Sequence, residues 1–425
     1  MKFLINNDKM EKSTNMDGDI WMITEMEVKQ FLTLKNYDIR IEKNGRWIDQ
    51  KCTPDVVNII ADCVLQYIFD SDSLEAFSSV DIWHYKYTKE NIRDIFNKPS
   101  TEHELSKNEY DKFFAQPLEM LANAKVLNKS KKGNRNIYSI NDLDILEYIS
   151  LHERNALKFI SSYCERVLVD SDIWDWFEDF FNTQTQEAYL SLKDNFENFI
   201  ISNTPINGII EVRRIFTKVI NPLAYTLRKC GTSRGRISKY PITYSELMYN
   251  RENFRDSNHF KPKGMTRQEW NKQRKIKINV KYFKYQSIKA KKYLRKFNDQ
   301  FRNSISELND DYSAGAAIHM HHIFPEHQYP EISMFLENLI ALTPSQHITK
   351  AHPMGNTQRV DVLYQELLLK TKANSIEENL FDENIDTIYT FDNFIKVLNV
   401  GFGSRYEVEE NDFVTAMSII SNHYS

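Results

Sequence analysis

The sequence predicts a mainly α protein of the α+β type, and three observations carry that prediction. Glycine and proline are scarce, at 11 each in 425 residues, while Leu, Glu, Lys, Asn and Ile are common, a composition that suits helices. Apolar residues recur at spacings of three and four through most of the chain, the period of a helix with one buried face. Alternating runs are few and bounded by turn residues, so strands are confined to small hairpins. The length suggests two to four domains, and 41% hydrophobic with 13% aromatic residues supplies a real core.

Residues 1–71 read as an N-terminal helical and hairpin segment behind a polar tail over 1–18. Ile23–Tyr37 has a helical pattern. Tyr37–Ile48 alternates around Asn44-Gly45, a hairpin signal, and Thr53-Pro54-Asp55 opens a helix through Val56, Ile59, Ile60, Cys63 and Tyr67. Residues 72–150 follow with a helix near Thr88–Phe96. Another is opened by a Ser106–Glu109 capping box and runs through Phe113, Phe114, Leu118 and Leu121, where Pro117 should kink or divide it. Val126–Lys129 and Ile137–Ile140 then form a hairpin whose tip carries Lys131, Lys132 and Arg135. Helices followed by a basic hairpin resemble a winged helix, in which the wing and the preceding helix contact duplex DNA. Winged helices also dock proteins, and a Lys-rich tip is also an ordinary solvated turn. Lys131, Lys132 and Arg135 are the DNA-contact candidates here.

Residues 151–226 are densely apolar and aromatic with acidic residues between, which suits a helical connecting domain better than a nucleic-acid surface. Residues 227–303 reverse the charge. From Arg228 to Arg302 there are 22 Lys and Arg against 5 Asp and Glu, a local balance of +17 in a chain whose net charge is −4. Arg228, Lys229, Arg234, Arg236 and Lys239 flank Gly231 and Gly235, which suits a loop approaching phosphates with main-chain donors. Lys272, Arg274 and Lys275 open a long helix-competent stretch. A charge run of this kind is often a solvated helix face; here it is read as a DNA-gripping clamp whose phosphate contacts make binding salt-dependent.

Residues 304–425 hold the chemistry. His319, His321, His322, His327, His347 and His352 make up six of the chain's 11 histidines. Ala316–Ile323 and Asn338–Thr343 read as two short strands. Thr343-Pro344-Ser345 then starts a helix bearing His347 and His352. Neutral imidazole serves as a metal ligand or a base when neighbours hold the ring. Further helices are expected over Gln358–Leu369 and Phe413–His423, with another two over Ile376–Leu398.

The pattern His321-His322, then Asn338, then His347 nine residues later resembles the HNH, or ββα-metal, nucleases. Glu337-Asn338-Leu339 through Gln346-His347 is similar to the matching segment of colicin DNases. The resemblance covers about 35 residues. It implies His322 as general base and Asn338 as the tie between loop and second strand, both assigned to catalysis. It also implies His321 and His347 as ligands of one divalent cation, Mg²⁺ or Mn²⁺ ahead of Zn²⁺. Colicin nucleases place a further metal-site histidine four residues after the last ligand. Here His352 lies five after His347, which counts against it, and it stands with His319 and Asn356 as an additional candidate. His319, His327 and His352 read equally well as imidazoles beside the site or on the surface, and Asn356 as a turn residue. The Cys-x-x-Cys pairs that staple many HNH domains are absent from this sequence. Because adjacent strand residues face opposite ways, bringing His321 and His322 to one site predicts a kink or bulge at 321–323.

No apolar run is long enough to span a membrane, and the N-terminal apolar core is too short for a signal peptide, so no membrane partner and a cytoplasmic location are expected. Cys52, Cys63, Cys164 and Cys230 form no close motif and read as reduced core residues. The expected function is double-stranded DNA cleavage at a defined sequence by a type II restriction endonuclease acting as a homodimer. Modification-dependent or nicking enzymes in anti-phage defence share the chemistry. From another class, a winged-helix regulator with a structural metal site fits the same residues.

Overall fold

The computed structural model describes residues 22–71, 76–96, 107–249, 280–352 and 360–425. The tail over 1–18, Ser106, Lys272, Arg274, Lys275 and Asn356 lie outside them. The described chain is mainly helical, with three two-stranded antiparallel sheets. It divides into two compact units, Glu25–Lys277 and the combination of Met1–Thr24 with Ile278–Ser425.

The first unit begins with α1 (Glu25–Leu32) and the single turn α2 (Ile39–Glu42). The hairpin expected over Tyr37–Ile48 does not form. Asp38 accepts the Arg40 backbone N–H at 2.8 Å and caps α2 instead, and Lys43 closes the turn in the left-handed region at φ +54°. The alternation misled because it mimics a strand while a local cap was available to the backbone. Ile39 is buried and Ile41 exposed, a split that a strand with both residues on one face would not give. Pro54 opens α3 (Pro54–Ser71), followed by α4 (Ser79–His84), α5 (Lys86–Phe96) and α6 (Lys107–Asn123). Pro117 lies inside α6 without dividing it. Phe113, Phe114, Leu118 and Leu121 on both sides of it are fully buried, and that packing outweighs the missing hydrogen bond.

Next, β1 (Leu127–Lys132) pairs with β2 (Arg135–Ile140) across a two-residue turn. Gly133 takes φ +61°, as the first position of a II′ hairpin turn requires. Phe77, between α3 and α4, exchanges both backbone hydrogen bonds with Tyr138 of β2 at 2.7 and 2.8 Å. The remainder is helical: α7 (Leu143–Leu151), α8 (Glu153–Asp170), α9 (Trp174–Thr183), α10 (Gln186–Asn203) and α11 (Ile209–Thr226). Helix α8 is central, packing against α1, α3, α7 and α11. Cys52, Cys63 and Cys164 are buried and all four cysteines are free. A small hairpin, β3 (Thr232–Ser233) with β4 (Arg236–Ile237), and the short α12 (Tyr244–Leu247) complete the unit.

The second unit is organised around α13 (Val280–Phe301), which packs on β5 (His319–His322) and β6 (Leu339–Leu342). The sequence reading put 280–301 in the basic segment 227–303; the helix belongs instead to the same compact unit as the histidines. Between the strands lie two single 3-10 turns, Pro330–Ile332 and Leu336–Asn338. After β6 comes a π turn over Gln346–Ala351, then α14 (Val362–Phe381), α15 (Phe391–Phe402) and α16 (Phe413–Tyr424). Every residue of β6 is buried. No helix among the described residues is long and apolar enough to cross a membrane.

A candidate metal centre and its neighbouring imidazole

The centre is built on the β5–β6 hairpin and the turn that follows it. Strand pairing is regular, with His321 opposite Ile340 and His322 opposite Leu339, and Ile323 N–H continues the ladder to the Asn338 carbonyl at 2.9 Å. The bulge expected at 321–323 is absent. His321 and His322 leave opposite faces of an ordinary strand yet both line one cavity of about 520 Å³, so no distortion is needed.

His347 and His352 come from the segment after β6. Thr343 and Gln346 cap its start reciprocally: the Gln346 N–H donates to Thr343 Oγ1 at 3.2 Å, and the Thr343 N–H to Gln346 Oε1 at 3.0 Å. The turn then opens into π geometry over Gln346–Ala351. Five positions on an α-helix are about 140° apart, whereas hydrogen bonds running i to i+5 return the fifth residue to the same side. The five-residue spacing that counted against His352 therefore brings it to His347, their ring centroids 4.7 Å apart. His321 approaches both, at 5.2 Å from His347 and 4.9 Å from His352.

One nitrogen from each of His321, His347 and His352 falls within 4.8 Å of the other two. Ligands on one ion at bonds of about 2.0–2.1 Å sit roughly 3.3 Å apart in a tetrahedron, so a small inward movement suffices for these three to share a divalent ion. Two of the donor nitrogens, His321 Nε2 and His347 Nδ1, are buried with no hydrogen-bond partner among the described residues, an arrangement that buried polar atoms normally avoid. Burial, reinforced by the neighbouring histidines and Lys291, holds His321 well below the usual imidazole range. Burial with His352, His319 and Lys291 nearby brings His347 down to about 4. Both rings are thus neutral near pH 7 and present lone pairs. His319 stacks on His347 at 4.6 Å and lies outside the group of three.

His322 stands apart from that group and is held differently. Its Nε2 lies 2.9 Å from the Ser333 carbonyl and 3.2 Å from Ser287 Oγ. A carbonyl only accepts, so Nε2 carries the proton and Nδ1 is left as the acceptor, 4.0 Å from Glu326 Oε2. Burial first, then the Lys291 charge, brings this ring down to about 3 against the opposing pull of Ser333. Asn338, fully buried, accepts the Phe324 N–H at 2.9 Å and donates to the carbonyls of Phe324 at 3.0 Å and Ile332 at 3.3 Å. Its amide is consumed by backbone, so Asn338 positions the loop that carries Ser333 and touches no reacting group. Gly401 of α15 lies against the Phe324 ring, where a Cβ would overlap it.

Other sequence candidates fall elsewhere. Lys131, Lys132 and Arg135 are exposed on the β1–β2 hairpin, and Arg228, Arg234, Arg236 and Lys239 are exposed, with Lys229 half-buried, around β3–β4. Gly231 does not offer its N–H to a phosphate: that group donates to Ser238 Oγ at 3.0 Å, and the residue is buried against Asn221, Ile242 and Ala224. It is glycine because those side chains leave no room for a Cβ. Sequence reasoning missed Ser287, Lys291, Glu326 and Ser333. Glu326, four residues after His322, carried a weak local signal; Lys291 was one lysine among many in a basic run. No family model, curated protein or solved structure matches the chain.

Proposed function

We propose that the chain is a metal-dependent DNA endonuclease of the ββα (HNH) class, cutting double-stranded DNA at a defined sequence as the nuclease of a type II restriction system. The observation that carries this reading is the pairing of two imidazole environments in one cavity. Three rings converge, two of them with a buried nitrogen that has no hydrogen-bond partner among the described residues, and beside them a fourth ring is locked in one tautomer by a backbone carbonyl.

His321, His347 and His352 would hold the ion. When bound, a divalent cation supplies charge neutralisation at the scissile phosphate and at the leaving oxygen. His322 Nδ1 accepts the proton of the attacking water, and a water between Nδ1 and Glu326 can donate to both acceptors. Ser333 keeps the tautomer and Asn338 keeps Ser333 in place. The donor set refines the choice of metal. Three imidazoles with no carboxylate in the group suit a later transition ion first and Mn²⁺ ahead of Mg²⁺, because both Mn²⁺ and Mg²⁺ favour oxygen ligands and Mg²⁺ also demands near-ideal octahedral geometry.

In the other unit, the order of helix, single bridge at Phe77, helices and basic hairpin supports a winged-helix-like DNA reader with Lys131, Lys132 and Arg135 at its wing. The exposed arginines and lysines around β3–β4 support a phosphate-gripping role. One site attacks one strand, so a double-strand break calls for two copies, and we propose a homodimer on a symmetric target.

The test is cleavage of supercoiled plasmid by the full chain with Mg²⁺, Mn²⁺ or EDTA. The wild type should cut with Mn²⁺ and stop in EDTA, His347→Ala should bind Co²⁺ at least about tenfold more weakly, and His322→Ala should bind metal and DNA normally while cutting about 10²–10⁴-fold more slowly. Full cutting by His322→Ala removes His322 as the base. A wild type that binds DNA and metal but never cuts, on methylated or unmethylated plasmid, favours a regulator with a structural metal.

A further inference from the structure

Helix α13 was read from sequence as part of a charged clamp, but its face toward the site is specific. Lys284, Ser287 and Lys291 follow at spacings of three and four, so they share one side of the helix. Ser287 is buried, its hydroxyl 3.2 Å from His322 Nε2 and 3.2 Å from Glu326 Oε2. Lys284 and Lys291 line the cavity with His321, His322, His347 and His352. Lys291 is half-buried and makes no hydrogen bond or ion pair among the described residues. Its charge is nonetheless felt at His321, His322 and His347 alike, and it lines the same cavity as the metal centre and the proposed base.

A half-buried cation beside a cation site is unfavourable unless something offsets it. Glu326 is the one carboxylate among the described residues lining the cavity, against the ammonium groups of Lys284 and Lys291. Three neutral imidazoles bring no negative charge to balance a divalent ion. The filled site would hold a surplus of positive charge, and an anion placed between metal and lysine relieves it.

We propose that Lys291 is a catalytic residue that contacts a non-bridging oxygen of the scissile phosphodiester. The inference rests on the nuclease reading of the same site. As the bond from water oxygen to phosphorus forms, the water proton passes to His322 Nδ1. The bond from phosphorus to the 3′-oxygen breaks, its electron pair stays on that oxygen, and a solvent proton completes the 3′-hydroxyl. Charge on the non-bridging oxygens grows along this path, and a fixed ammonium in a part-buried cavity stabilises it more than it stabilises the ground state.

The experiment compares wild type, Lys291→Met and Lys291→Arg in the full chain, with thermal midpoints to establish folding. Co²⁺ absorption reports the metal centre, inorganic phosphate titrated into the Co²⁺-loaded protein reports the anion contact, and single-turnover plasmid nicking reports catalysis. Lys291→Met should bind Co²⁺ as tightly as wild type or more tightly. It should bind phosphate at least about tenfold more weakly and nick about 10²–10³-fold more slowly, while Lys291→Arg should recover most of both losses. Unchanged phosphate affinity and nicking in Lys291→Met overturns the proposal and leaves the nuclease reading intact. Wild type that never nicks, yet loses phosphate affinity on Lys291→Met, overturns the nuclease reading and the catalytic role together while retaining the anion contact. If Lys291→Met does not fold, nicking by Lys291→Arg decides: recovery near wild type supports the charge contact, and loss comparable to His322→Ala opposes it.

Discussion

Two hairpins in this chain have the same antiparallel pairing and opposite environments. In the β1–β2 hairpin, five of six residues on β1 are exposed and a two-residue turn joins the strands. In the β5–β6 hairpin, seven of eight strand residues are buried, and a long connection folds over the site with its backbone held by Asn338. Exposed polar groups are satisfied by water, so the first hairpin places few demands on its side chains. Buried polar groups must find protein partners. Against that requirement, the unpartnered nitrogens of His321 and His347 count because the two rings also converge with His352.

The comparison breaks first at Glu307. This buried carboxylate accepts the Ala341 N–H of β6 at 2.9 Å and pairs with Lys372 at 3.0 Å and Arg302 at 3.2 Å. Burial raises its pKa, but Lys372 and Arg302 more than offset this and hold it below the usual carboxylate range. A carboxylate whose folded value lies below its unfolded one contributes stability above the unfolded pKa, about 4.5, and loses it as pH falls through the folded value. Glu307→Gln should lower stability at pH 7 by about 3–5 kcal/mol, measured by urea unfolding, and should flatten the acid limb below about pH 4.5. An unchanged acid limb would show that the carboxylate is not ionised in the fold.

Asn338→Ala comes next. Removing the amide strands the Phe324 N–H and two carbonyls in a buried loop, so a loss of about 2–4 kcal/mol is expected. Because Ser333 moves with that loop, plasmid nicking should fall while Co²⁺ affinity stays within about threefold of wild type. Equal losses in metal affinity and nicking would mean that Asn338 supports the whole hairpin and not the His322 arm alone.

The smallest effect on folding belongs to the exposed hairpin. Lys131→Ala, Lys132→Ala and Arg135→Ala should each change stability by less than about 0.5 kcal/mol. Each lost phosphate contact should reduce the salt-dependence slope of DNA binding by about 0.9. Unaltered slopes in all three would remove the wing from the DNA interface and leave a solvated turn.

Much of this was readable without coordinates, for local reasons. Thr53-Pro54 and the apolar period placed α3 and α6, two runs around a basic tip placed the β1–β2 hairpin, and the two apolar runs with Thr343-Pro344 placed β5, β6 and a helical start that the structure shortens to a π turn carrying His347. Those signals act between residues a few positions apart, and packing reinforced them. Where a local pattern had a competitor, as at Asp38, alternation pointed the wrong way.

Amino-acid order by itself determined that His321, His322, Asn338 and His347 recur at a spacing suited to one hairpin and one turn. Only the tertiary structure decided that a π turn brings His352 to the centre, that Ser333 selects the His322 tautomer, and that Lys284 and Lys291 of a basic helix line the cavity. Those outcomes depend on which surfaces meet: the π turn acts through the face it turns toward β5, and Ser333 and Lys291 act on His322 from 11 and 31 residues away in the chain. Spacing along a chain specifies neighbours within one element, while the neighbours across elements are chosen by how the buried faces pack.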